Sequence, residues 1–306
     1  MTTSYRQARL RLGVCAAVAA VALTPTIVFG ANLTGTGGNN KISGTPRADV
    51  INAKAGNDRV HARGGNDAVY GRSGNDTLVG GSGDDKLQLS TGDDKGAGGG
   101  GNDVIAGASG NDRGIGGDGH DRVGLGAGDD FGYGQDGNDK VDGQTGVDVV
   151  YGGPGSDHVS GGDGPDKVFG EAGDDELDGG PGRDKLYDGP GDDQMTGDQH
   201  DDTIHLGAGS DHVYGEEGFN IVYASPDDGD YDDIWCGWQF DQNYGKLVYA
   251  APTGTQLDVT PGPRYFGDNV KCCSIYIKDP VTNEETLLAG KQQISCRTAT
   301  RAVARP

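Results

Sequence analysis

The chain has 306 residues, 59 of them glycine, and a formal charge of −22. Glycine loses more backbone freedom on folding than any other residue, and low hydrophobicity with high net charge is the composition of a disordered chain. The acidic balance excludes nucleic acid and anionic membrane surfaces as partners and points to cations.

The first 30 residues differ in kind from the rest. Arg6, Arg9 and Arg11 precede the apolar run LGVCAAVAAVALTPTIVFGA, and Val28-Phe29-Gly30 supplies small residues near a cleavage point. Residues 1–30 therefore read as a secretory signal peptide. Thr24, Pro25 and Thr26 interrupt the run and argue for cleavage over a retained anchor. Val14 stands where a lipoprotein signal carries a small residue, so Cys15 is not read as a lipidation site. No later apolar run is long enough to span a bilayer, and the mature chain is expected to be soluble and secreted, with no membrane span.

From Gly56 the chain falls into nonapeptides, GNDRVHARG, GNDAVYGRS, GNDTLVGGS and onward to GSDHVYGEE, which ends at Glu217 without an insertion or deletion. Looser copies, GNNKISGTP and RADVINAKA, extend the array back to Gly38. Numbering each unit from its leading glycine, place three is Asp every time from Asp58 to Asp211, and place five is the apolar one, as at Val60, Val69, Leu78 and Leu87. So strict a frame marks one structural unit per period. One inward residue per nine suits a three-residue strand followed by a six-residue turn. Two units close a flattened coil, and stacked coils form two narrow parallel sheets: an all-β, parallel β-roll solenoid over residues 31–226, with its strict repeats at 38–217.

So thin a core does not obviously outweigh the entropy of ordering the chain, and the acidic turns repel one another. Hard divalent cations would resolve both difficulties. Glycine-rich turns expose carbonyl oxygens, Asp adds a carboxylate, and an oxygen-only ligand set favours Ca²⁺. Binding of multiple Ca²⁺ is then part of folding.

Phased as G-G-x-G-x-D-x-U-x, segments such as Gly80-Gly81-Ser82-Gly83-Asp84-Asp85-Lys86-Leu87-Gln88 resemble the RTX (repeats-in-toxin) nonapeptide over residues 38–217. The resemblance implies the parallel β-roll, with Ca²⁺ held by turn carbonyls and the Asp of each unit. The implied ligands are Asp49, Asp58, Asp67, Asp76, Asp85, Asp94, Asp103, Asp112, Asp121, Asp130, Asp139, Asp148, Asp157, Asp166, Asp175, Asp184, Asp193, Asp202 and Asp211. With about one ion per side in each gap between coils, on the order of 16 ions are expected. RTX exoproteins usually carry a C-terminal export signal, whereas this chain has an N-terminal one, so only the calcium module transfers, not the export route or toxin activity.

Departures from the pattern matter. Leu89-Ser90 and Ala62-Arg63 replace the leading glycine pair, which weakens the sites expected there, and His200 replaces a turn glycine. Gly96, Gly114 and Gly132 occupy the inward place at intervals of 18. They leave either a thin patch in the core or a local flip that turns Ile115, Phe131 and Tyr133 inward.

After Tyr223 the frame breaks at ASPDDGDYDD, and DIWCGWQFD reads as one degenerate repeat. Residues 227–306 carry strand-like segments such as GKLVYAA and NVKCCSIYIKD. Cys236, Cys272, Cys273 and Cys296, an even number in an exported chain, are candidates for two disulfides, with the adjacent pair each reaching Cys236 or Cys296. A repeat stack needs its open end covered, so this region is read as a disulfide-containing β cap.

Catalytic signatures are absent. GxGxxG matches at Gly132 and Gly114 arise by chance in a glycine-rich array, and there is no GK[ST], HExxH or GxSxG. Calcium ligands cannot double as a general acid and base, so no enzyme is expected. Tyr133, Tyr151, Phe169 and Tyr187 recur every 18 residues, continued by His205 and Tyr223, and should form a ladder on one sheet. It reads either as a platform for polysaccharide at the cell surface or as cross-strand packing, and packing is favoured. The function expected is a secreted calcium-binding roll with a structural or surface-interaction role; the alternative is an adhesive module contacting glycan, protein or cell wall through the ladder or the C-terminal region.

Overall fold

The computed structural model describes residues 30–224 continuously and four later strands, Asp233–Trp235, Lys246–Tyr249, Ser274–Lys278 and Glu285–Leu287. The expected signal peptide, save Gly30, and all four cysteines of the expected cap lie outside the described residues.

Strands alternate between two sheets, one of 12 strands and one of 14, and every pairing but the last is parallel. Partners are 18 residues apart throughout the array, as in Val60↔Leu78 and Val141↔Val159. The order of the sheets follows directly from the nine-residue period. Successive units fall on opposite sheets, and every second unit stacks on the one before. Among the described residues there is no helix.

The strands are longer than the expected three residues. From Val50–Ala55 to Lys167–Ala172 they span six, covering places four to nine. The ladder pairs places four to six, skips place seven, and resumes at eight and nine, as in Arg63↔Gly81 and Gly64↔Ser82. Place eight has left-handed backbone, with φ of 120° at Gly99 and 88° at Arg63, and this kink forms the corner of each coil. From Glu176–Asp178 to His212–Tyr214 the strands contract to three residues. Pro181 and Pro190 occupy place nine there and have no amide to donate, and pairing beyond the first three places reduces to isolated bridges such as Pro181↔Gln199.

Alternation puts three places of each unit inside: the Asp, the apolar residue and place seven. The place-five row, joined by place-seven side chains such as Leu89 and Leu125, forms one core cluster from Ile51 to Ile234. Gly96, Gly114 and Gly132 stay inward and in register, Gly96↔Gly114 and Gly114↔Gly132, while Phe131 remains 47% exposed. There is no flip, and the thin patch is filled from across the coil. Leu89 and Leu125, place-seven residues of the opposite sheet, are fully buried against these glycines. A Cβ added at Gly96 would lie 3.0 Å from Leu89 Cδ2, and one at Gly132 would lie 3.1 Å from Leu125 Cδ1. The two departures compensate each other: side chain lost at place five of one sheet is restored at place seven of the other.

Parallel pairing runs past residue 226. Asp233–Trp235 pairs with His212–Tyr214, placing Ile234 on Val213, and Lys246–Tyr249 pairs with Ile221–Ala224. The degenerate repeat thus contributes a rung to the 12-stranded sheet.

Candidate metal centres

The place-three aspartates form two rows, one along each edge of the roll. Asp49 to Asp211 at every eighteenth residue makes one, and Asp58 to Asp202 the other. All 19 are between 0% and 4% exposed. From Asp67 onward each is fixed in the same way: the amide of the aspartate one coil earlier donates to its Oδ1, as from Asp58 to Asp76 at 2.7 Å and from Asp148 to Asp166 at 2.7 Å, while Ala31 and Asn40 supply the amides for Asp49 and Asp58. Outside each row runs a second ladder through place two, where Asn75 N–H donates to Asn57 Oδ1 and Asn111 N–H to Asp93 Oδ1.

The other carboxylate oxygen has no such partner. From Asp58 to Asp202, each place-three Oδ2 is buried without a hydrogen bond. Leaving one buried polar atom unsatisfied costs roughly 1–3 kcal/mol, and more when it carries charge. A whole row of them is not a packing accident.

What Oδ2 faces is defined by place seven, which is glycine in most units. A Cβ added at Gly161 would lie 2.7 Å from Asp166 Oδ2 and 2.8 Å from the Gly179 carbonyl oxygen, and one at Gly71 would lie 2.5 Å from Asp76 Oδ2 and 2.8 Å from the Leu89 carbonyl. The same pair of oxygens converges at Gly179 and Gly197. The absent side chain leaves a cradle bounded by a carboxylate oxygen of its own edge and a carbonyl oxygen of the next coil. Oxygen-only, anionic and spanning two coils, this donor set fits a hard divalent cation.

Electrostatics agree. Burial raises the carboxyl of Asp166 to about 7; the Asp148 amide opposes the rise and the carboxylates of Asp148 and Asp184 add to it. Asp112, Asp157, Asp175 and Asp184 are likewise raised to about 7, burial first in each case. Asp94, Asp103, Asp139 and Asp148 are raised to about 6. Stacked carboxylates without a counter-ion resist ionisation together. Asp49 is the exception: burial raises it, but amides of Thr45 and Ala31 and the Thr45 hydroxyl bring it below its ordinary value.

Place seven also marks where the cradle is altered. Ala53, Ala62, Leu89, Leu125, Asp188 and Leu206 carry side chains there. Two buried residues escape the sequence frame. Asn220 stands at place three of GFNIVYASP, one unit beyond the strict array, and its Oδ1 accepts from the Asp202 amide at 2.8 Å. Asp188 is 2% exposed, and its carboxyl is raised to about 8 by burial and then by Asp211. Continuing the count of nine finds the first, and asking which residues displace the place-seven glycine finds the second.

The aromatic ladder stands on the 14-stranded sheet. Tyr133, Tyr151, Phe169, Tyr187, His205 and Tyr223 stack face to face with centroids 4.5–4.8 Å apart and planes within 8°. Arg113 lies over the free face of Tyr133, 5.0 Å from its centroid.

The fold and the two rows of oxygen cradles define a class: a parallel β-solenoid whose repeats bind cations at their turns. The description "RTX calcium-binding nonapeptide repeat (4 copies)" matches overlapping segments from 34–69 to 187–222, together more than half of the chain. The chain belongs to this calcium-binding family. A similar solved structure, described as the X-ray crystal structure of a hyperactive, Ca²⁺-dependent, β-helical antifreeze protein from an Antarctic bacterium, is 19% identical, with a TM-score of 0.35 over 76% of this chain and 84% of that one. No curated protein matches the chain. Among the described residues, no helix is long and apolar enough to cross a membrane.

Proposed function

We propose that this is a secreted, non-catalytic calcium-binding protein, exported through its N-terminal signal, whose roll forms only where calcium is abundant. The observation that carries the reading is the row of buried Oδ2 atoms without a hydrogen bond, which at units such as those of Gly71, Gly161, Gly179 and Gly197 face a carbonyl across a glycine. Cations in about a dozen such cradles would satisfy those atoms, neutralise the stacked carboxylates and join each coil to the next. Glycine at place seven and Asp at place three act as one device: the first makes room and the second supplies charge.

The role served would be structural, or interactive at a cell surface or in a matrix. One observation weighs on the glycan alternative. Sugars stack on exposed ring faces, but each interior ring of the ladder has both faces covered by its neighbours. The ladder therefore presents edges and is best read as packing on the sheet.

Far-ultraviolet circular dichroism during a calcium titration, with magnesium as control, tests the proposal. A cooperative gain of strand with Ca²⁺ and little with Mg²⁺ is expected. A chain already rich in strand in the presence of a chelator at about pH 7.5 would refute it.

A further inference from the structure

One cradle carries an acid of its own at place seven. In the unit that ends at Pro190, place seven is Asp188 rather than glycine. Its carboxylate enters the space that elsewhere only Oδ2 and a carbonyl oxygen border. The amide of Gly189 donates to Asp188 Oδ1 at 2.6 Å, which fixes the group, and Asp188 Oδ2 is left buried without a partner. Asp193, at place three of the next unit, is 1% exposed. Its Oδ1 accepts from the Asp175 amide at 2.7 Å, while its Oδ2, the atom that in other units faces place seven, has no partner. Asp211, one coil on, completes the group: carboxylate oxygens of Asp188, Asp193 and Asp211 lie within 4.8 Å of one another, a concentration met once among the described residues.

Resting on the calcium reading above, we infer that Asp188, Asp193 and Asp211 form a distinct three-carboxylate cation site, the tightest calcium site of the roll. The regular cradle pairs its own carboxylate with a neutral carbonyl, whereas this one sets a second acidic ligand from place seven against it. More anionic oxygens around a hard cation raise its affinity, provided the ligands are already in place. Here they are: Asp188 by the Gly189 amide, Asp193 by the Asp175 amide. The site lies where the strands have contracted to three residues and the backbone ladder is shortest. An ion there joins the unit containing Asp188 to the next unit and to the third one on, and holds by charge a stretch that has fewer rungs.

Calcium titration of the calcium-free full chain against a chromophoric chelator tests this, with Asp188→Gly and Asp188→Asn compared to the native protein. Glycine is the residue of the frame and Asn keeps the acceptor for the Gly189 amide, so both retain the local shape. The native chain should show one step at least tenfold tighter than the rest; both variants should lose that step and keep the others. Calcium uptake with the tightest step unchanged in the variants would overturn this inference alone. No calcium uptake by any of the three proteins would overturn it together with the reading on which it rests.

Discussion

In the calcium-free chain, acid should do part of the work of the metal. The carboxyls of Asp112, Asp157, Asp166, Asp175 and Asp184 stand at about 7 in the fold, against 3.8 as their ordinary value. Between those limits the folded chain binds more protons than the unfolded one, so its stability rises as pH falls from about 7 and levels off below about 4. Each tenfold gain in proton affinity on folding corresponds to roughly 1.4 kcal/mol. Discounted for solvent at the turns, each such group contributes on the order of 1–2 kcal/mol. Several such groups together weigh noticeably against the whole stability of a typical domain, about 5–15 kcal/mol. Far-ultraviolet circular dichroism in chelator should therefore show strand appearing between pH 7.5 and about 4.5, the reverse of ordinary acid denaturation. With calcium present the sign inverts, because protons compete with the ion for Oδ2, and the calcium midpoint should weaken over the same window. A calcium-free chain that stays unfolded throughout would refute the claim that stacked carboxylates are what keep it open.

Other perturbations separate the ligand from the scaffold. Asp139→Asn keeps the acceptor for the Asp121 amide, at 2.7 Å, but removes the charge; the calcium-free fold at pH 7.5 should gain on the order of 1–2 kcal/mol while the calcium midpoint rises, both read from titrations followed by circular dichroism. Leu125→Ala should cost about 2–5 kcal/mol in denaturant unfolding of the calcium-loaded protein, because that side chain fills the space left by Gly114 and Gly132. Gly114→Ala would place a Cβ 2.5 Å from Val123 Cγ1 and 3.0 Å from Leu125 Cδ2; alone it should destabilise by about 1–3 kcal/mol, and combined with Leu125→Ala by less than the sum. His200 has φ of 86° where the frame has glycine; His200→Gly should raise stability by about 1 kcal/mol in the same assay.

Much of this molecule was determined by the sequence itself. A period of nine with Asp and an apolar residue two places apart dictates one strand per unit, because a shift of one residue would expose the entire core row. Two units per coil then fix the 18-residue register seen from Asn32↔Val50 to His205↔Tyr223. The candidate ligands are legible for the same reason, since every Asp of the row repeats one local geometry. Tertiary structure decided what depends on contacts across the coil. Whether Gly132 thinned the core could not be read from its own strand, because Leu125, the residue that fills the gap, belongs to the opposite sheet. The frame marks Asp188 as an acid where most units carry glycine, but its meeting with Asp193 and Asp211 is decided between coils. Periodicity along the chain repeats a backbone, but burial and charge are settled between coils, where neighbours distant in sequence meet.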